Sequence, residues 1–214
     1  MSIATFFVRA LIYAAVLMGA YGIIAYDTSV GNFAEASYQE DTTATEYAQE
    51  TLLLLMILIC AVGARAASFR RIHVLLAVVA AVSLVREFNN YLEDWWKVGV
   101  LIILLPAVFY FYRNFRALRS EFERMGETYA FAIILVGGLI LHVFSRFFGY
   151  KTIWMDTMGD NYTRAVIRVS EEGIELLAYA IVFIGIVELY RHTQRTAQPP
   201  MTSTTKPVAV NSSE

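Results

Sequence analysis

Residues 168–189 read RVSEEGIELLAYAIVFIGIVEL, so that Arg168, Glu171, Glu172 and Glu175 run into a stretch otherwise apolar enough for a bilayer. A carboxylate held where water is scarce must be protonated, paired with a cationic side chain or bound to a cation. Arg164, Arg168, Glu171 and Glu175 follow i, i+4, i+7, i+11, one stripe down a helix face, while Glu172 lies off it within reach of Arg168. Comparable groups interrupt other apolar runs: Glu50 beside Glu46, Arg86 with Glu87, and His142 one turn before Arg146. At ~1.5 Å per helical residue, Arg86 falls ~21 Å from Ile72, Glu175 ~21 Å from Leu189, Glu50 ~22 Å from Arg65, and His142 and Arg146 ~20 and ~26 Å from Tyr129. Four helices therefore place ionisable groups in one layer, in the outer third of a membrane.

Charges inside a span face the bundle interior or a wet cavity, so the four stripes are expected to converge. Three arginines at that depth, Arg86, Arg146 and Arg168, meet five carboxylates, Glu50, Glu87, Glu171, Glu172 and Glu175. The surplus acid points to a cation. Glu172 and Glu175 are the expected principal ligands, of a divalent metal ion or of protons, with Glu171, Glu87, Glu50 and His142 as partners and the arginines as charge partners. The leading expectation is thus binding and translocation of a cation. Two alternatives use the same layer: an intramembrane enzyme acting on a lipid or head group from the outer face, with the arginines clamping phosphate, and a non-catalytic subunit whose charges brace the bundle or dock a partner subunit or a second copy.

The segment EEGIE at residues 171–175 resembles the Arg-Glu-x-x-Glu iron-binding signature of the high-affinity iron permeases, with Glu172 and Glu175 matching its glutamates and Glu171 standing where that family has arginine. In REFNN at 86–90 only Arg86 and Glu87 match, with Asn90 in place of the final glutamate. The resemblance implies metal chemistry at Glu172 and Glu175. Haem is disfavoured, because no histidines at i, i+4 occur on helices that would face each other. His-Glu-x-x-His, Gly-x-Ser-x-Gly, Walker and Cys-x-x-Cys motifs are all absent from the sequence.

The elements that must position these groups follow from composition. Of 214 residues, 57% are apolar and 17% charged, against about 45–50% and 25% in soluble domains. A polytopic, all-α membrane protein is expected. Runs of roughly 17–25 apolar residues give six spans, at about 4–25, 51–67, 72–92, 97–113, 129–149 and 166–190. The first reads as a retained helix, since its apolar run outlasts a signal peptide's h-region and Arg9 is its one basic residue. With the N-terminus inside, 11 of the 17 lysines and arginines fall inside, and the stretch from Asp27 to Glu50 outside holds acids and no base. The expected topology is N-in, C-in, in a plasma membrane of the bacterial inner-membrane type. Residues 198–214 read as a disordered cytoplasmic tail, and RNFRALRSEFER at 113–124 as a basic amphipathic segment at the inner interface. A net charge of −2 argues against nucleic acid, and the single cysteine, Cys60, excludes an intrachain disulfide.

Overall fold

The computed structural model describes residues 3–31, 43–66, 68–88 and 95–197, and all the regular structure among them is helical. Eight helices follow in order: α1 (Ile3–Ser29), α2 (Ala44–Gly63), α3 (Arg70–Glu87), α4 (Trp95–Arg113), α5 (Phe115–Gly126), α6 (Tyr129–Phe148), α7 (Lys151–Met158) and α8 (Arg164–Ala197). Five of them, α1, α2, α4, α6 and α8, are long and apolar enough to cross a membrane. The chain is in that respect a multi-pass membrane protein. The expected 72–92 span corresponds to α3, 18 residues with Arg70, Arg71, Arg86 and Glu87 at its two ends; residues 89–92, like the tail at 198–214, lie outside the described residues.

Helix ends are set by caps that explain where the boundaries moved. α2 begins at Ala44, seven residues before the expected 51, because Thr43 and Glu46 form a capping box: the Thr43 hydroxyl accepts from Glu46 N at 3.1 Å and Glu46 Oε2 accepts from Thr43 N at 3.1 Å. Asp27 of α1 adds a second cap, its carboxylate accepting from Ala44 N at 3.1 Å and from Thr45 N at 2.7 Å. α3 starts differently. Phe69 precedes it with φ 56° and no side-chain cap, and Glu121 of α5 takes over, accepting from Arg71 N at 2.7 Å and Ile72 N at 3.1 Å.

α8 is the axis. Of its apolar window 56% is buried, against 6% for α4. α1, α2 and α6 pack on α8, α3 packs on α2, and α4 lies outermost on α3. Glu46 and Gln49 of α2 meet Arg168 and Glu172 at one end of α8, and at the other Gly63 lies against His73, whose ring bonds Thr193. α2 and α8 are therefore parallel. α1, α3 and α6 run the opposite way, as the pairs Arg9 with Glu188, Glu87 with Tyr179, and Arg146 with Glu171 require. Each successive long helix reverses direction. Exposed Ile3, Phe7 and Leu11 of α1 and Ile102, Leu105 and Val108 of α4 suit lipid tails.

Two glycines bring α6 close to α8. A Cβ on Gly137 would come within 3.0 Å of Val182 N, and one on Gly185 within 3.0 Å of Ile134 N. Small residues permit such backbone approach and are enriched where helices pack without a hydrophobic drive from water. Gly19 of α1 meets nothing within 4 Å; Ala20, one residue round, packs against Leu176 and Ala180.

Candidate functional site

At the end of the bundle where α2 and α8 begin, four helices bring together Glu46, Gln49 and Glu50 of α2, Arg86 and Glu87 of α3, Arg146 of α6, and Arg168, Glu171, Glu172 and Glu175 of α8. The stripe on α8 fans out. Arg168 Nη2 turns to Glu46 Oε1 of α2 at 3.9 Å, while Glu171 Oε1 takes Arg146 Nη1 at 3.1 Å on the opposite side. Gly149 permits that turn, since a Cβ there would sit 2.7 Å from the Glu171 carboxylate.

Glu175 lies deepest, its side chain 6% exposed, and its Oε1 is shared by two guanidiniums, Arg146 at 3.4 Å and Arg86 at 4.0 Å. Arg86 also reaches Glu87 at 3.7 Å, and Glu87 accepts from the Tyr179 hydroxyl at 2.9 Å. Glu171, Glu175, Glu87 and Glu46 are thus each matched by an arginine. Glu172 is not. It turns to α2, where Gln49 Nε2 donates to its Oε2 at 3.1 Å and to its backbone carbonyl at 3.2 Å; Arg168, expected to be its partner, goes to Glu46. Among the described residues no guanidinium lies in ion-pair distance of Glu172 or of Glu50. Glu172 instead feels Glu175, Glu46 and Glu87, and Glu50 feels Glu46 and Glu87. Gln49 is fully buried, and its Oε1 has no hydrogen-bond partner among the described residues.

His142 does not join this group. It is exposed on the outer surface of α6, beside exposed Val143 and Phe144. The i, i+4 relation to Arg146 assumed regular α geometry, but a π turn over Ile140–Phe144 intervenes and adds a residue to that turn. Leu141 and Ser145 face inward in its place. Among the described residues no three His, Cys, Asp or Glu side chains converge as a metal centre, so Glu172 and Glu175 are not joined by a third ligand. The connection from Gly149 to Thr163 holds α7, pinned by Trp154 Nε1 donating to Phe148 O at 2.6 Å.

A second polar cluster at the opposite end was not anticipated. Glu188, with no solvent exposure, accepts from the hydroxyls of Tyr13 and Tyr129 and pairs with Arg191 Nη1 at 3.1 Å and Arg9 Nη1 at 3.3 Å; Arg9 also donates to Tyr129 Oη at 3.1 Å. The signal was Arg9, a lone base inside an apolar run. Between the two clusters Leu53, Met56, Cys60, Ala80, Leu141 and Ile186 form a continuous apolar layer.

No protein-family model, curated protein or solved structure matches the chain. The class of molecule therefore rests on the fold: a helical, multi-pass membrane protein with buried charged residues at both ends of its axial helix.

Proposed function

We propose that the chain spans the membrane six times, with both termini inside, and that its outer chamber binds one cation, a proton or a small metal ion, on Glu172. α3 supports the sixth crossing: it runs antiparallel to its neighbour α2, and its Glu87 lies beside Tyr179 near the chamber while its His73 lies beside Thr193 at the far end. Arg9, Arg65, Arg70, Arg71, Arg113, Arg116, Arg119 and Arg124 then fall on the inner side.

One observation carries the cation reading. Among the described residues Glu172 is held among carboxylates with no guanidinium in ion-pair distance, facing Gln49, whose buried Oε1 accepts no hydrogen bond from them. Charge balance at low dielectric asks for a positive charge there, and carboxylate and amide oxygens suit a hard cation or a proton. Glu175, gripped by two arginines, positions the arginines and is not the ligand. The apolar layer below makes this a site entered from the outside.

Thermal melting of the purified protein in detergent, against sodium, potassium, magnesium, calcium, manganese and iron(II) and across pH, tests the reading. A ligand bound only to the folded state adds about 2.7 kcal/mol at a hundredfold excess over its Kd. A shift specific to one cation or to protons is expected, lost in Glu172→Gln and kept in Glu175→Gln, which should melt lower throughout. No shift in the wild type, or the same shift in Glu172→Gln, refutes it.

A further inference from the structure

The elbow between α4 and α5 is a charged surface unrelated to the outer chamber. α4 ends at Arg113, Asn114 breaks the helix, and α5 sets off at Phe115. The break is local: Asn114 Nδ2 donates to Tyr110 O at 2.8 Å and so caps the end of α4. α5 is anchored on one face only. Leu118, Glu121 and Met125, at i, i+3 and i+7, face the bundle, and the Glu121 carboxylate is committed to the start of α3 and to Arg71 Nη1 at 2.8 Å.

What remains outside is basic and aromatic. Arg113, Arg116, Arg119 and Arg124 are exposed, as are Tyr112 at 82% and Phe115 at 63%. Arg119 is taken by Glu123 at 3.0 Å, and Arg124 lies over the Phe69 ring at 5.1 Å. Arg113 stacks over Phe109 at 5.7 Å, and neither it nor Arg116 meets a carboxylate in ion-pair distance among the described residues. The two line an open cavity of about 680 Å³ together with Tyr112, Asn114, Phe115 and Ala117.

We infer that this elbow binds the head group of an anionic phospholipid. The cavity sits at the end of a helix apolar enough to cross a membrane, where head groups begin. Its aromatic lining, Tyr112 and Phe115, matches the aromatic belt of that boundary. Arg113 and Arg116 supply two guanidiniums, whose planar donors suit phosphate oxygens. An amphipathic helix with arginines on the wet side and exposed Phe115 and Phe122 beside them lies flat in such an interface. The inference rests on α4 being a membrane span and is independent of the cation site.

Native mass spectrometry of the full chain from a neutral detergent, supplied with equal phosphatidylglycerol and phosphatidylcholine, reads the preference as a ratio of bound lipid. The wild type should retain phosphatidylglycerol preferentially, and each arginine removed in Arg113→Gln and Arg116→Gln should cut the ratio about fivefold, since a basic residue near an anionic surface contributes on the order of 1 kcal/mol. Arg113→Lys with Arg116→Lys keeps the charge and should keep most of the preference, and Arg119→Gln, whose partner is Glu123, should leave it unchanged. An unchanged ratio in the double glutamine variant, or an equal loss in Arg119→Gln, overturns the inference. Displacement of phosphatidylglycerol by millimolar inorganic phosphate overturns the lipid as occupant and leaves an ordinary anion site.

Discussion

Glu188→Gln is the sharpest probe of the cluster at the C-terminal end of α8. The substitution keeps the side chain's size and leaves an oxygen for one tyrosine hydroxyl, but it removes the charge that Arg9 and Arg191 share. Breaking a buried ion pair by neutralising one partner costs about 3–5 kcal/mol, because the other charge stays buried. The two cations are not equal here. Arg9 is 10% exposed and loses its counter-charge, keeping only Tyr129 Oη as acceptor, whereas Arg191 is 43% exposed and can be hydrated. The low end, about 3 kcal/mol, is therefore expected, which for a chain of this size lowers the melting temperature by about 6–12 °C. Arg9→Gln should cost a similar amount, and the double variant little more than either alone, a coupling of about 2–3 kcal/mol. Melting in detergent at low and high salt, for all four proteins of the cycle, measures it. A Glu188→Gln protein that melts with the wild type, or single losses that simply add, would refute the claim that this carboxylate ties α1, α6 and α8 together.

Gly185→Leu should separate α6 from α8, since even a Cβ would lie 2.6 Å from the Ile134 side chain and 3.0 Å from its backbone nitrogen; a large drop in melting temperature is expected, with Gly138→Leu, whose Cβ meets nothing within 4 Å, as the silent control. Cys60, the one thiol and fully buried in the apolar layer, should resist a charged, water-soluble thiol reagent in the folded protein and react once denatured, as labelling followed by mass spectrometry will read. Rapid labelling in the folded state would mean that water crosses that layer.

How far the sequence carried depends on which property was being read. Length and apolarity placed all the long helices, and a rise of ~1.5 Å per residue put residues from α2, α3, α6 and α8 at one depth, where they meet. Partner choice was not legible. Depth follows from counting, whereas the partner of Glu172 depends on how α8 is rotated against α2, and that rotation is set by packing of Leu176 and Ala180 with Ala48 and Leu52. The π turn that carries His142 outward has no composition of its own to announce it. The capping box at Thr43–Glu46 is legible as Thr-x-x-Glu, and it gives Glu46 a helix-capping role that the Glu46, Glu50 stripe alone does not show. Glu188, next to Tyr190 and Arg191, has the sequence neighbours of an interfacial residue, and only the arrival of Arg9, Tyr13 and Tyr129 from other helices makes it a buried one.

The two clusters share α8, and that constrains how they relate. From Tyr179, the deepest member of the Glu172 cluster, to Glu188 is nine residues, or ~14 Å of continuous helix, with Ile186 on the buried side and Leu53, Met56, Ala80 and Leu141 pressed against it. On the proposed reading, coupling between a cation on Glu172 and the Glu188 end crosses this apolar layer, through displacement of α8 as a body. The Glu188 network opposes such a displacement, because Glu188 is held by α1 and α6 at once, and Gly137 and Gly185 set α6 and α8 in a contact too close to slide without clash. A rigid axis with a one-sided acidic chamber suits a binding site better than an open pore.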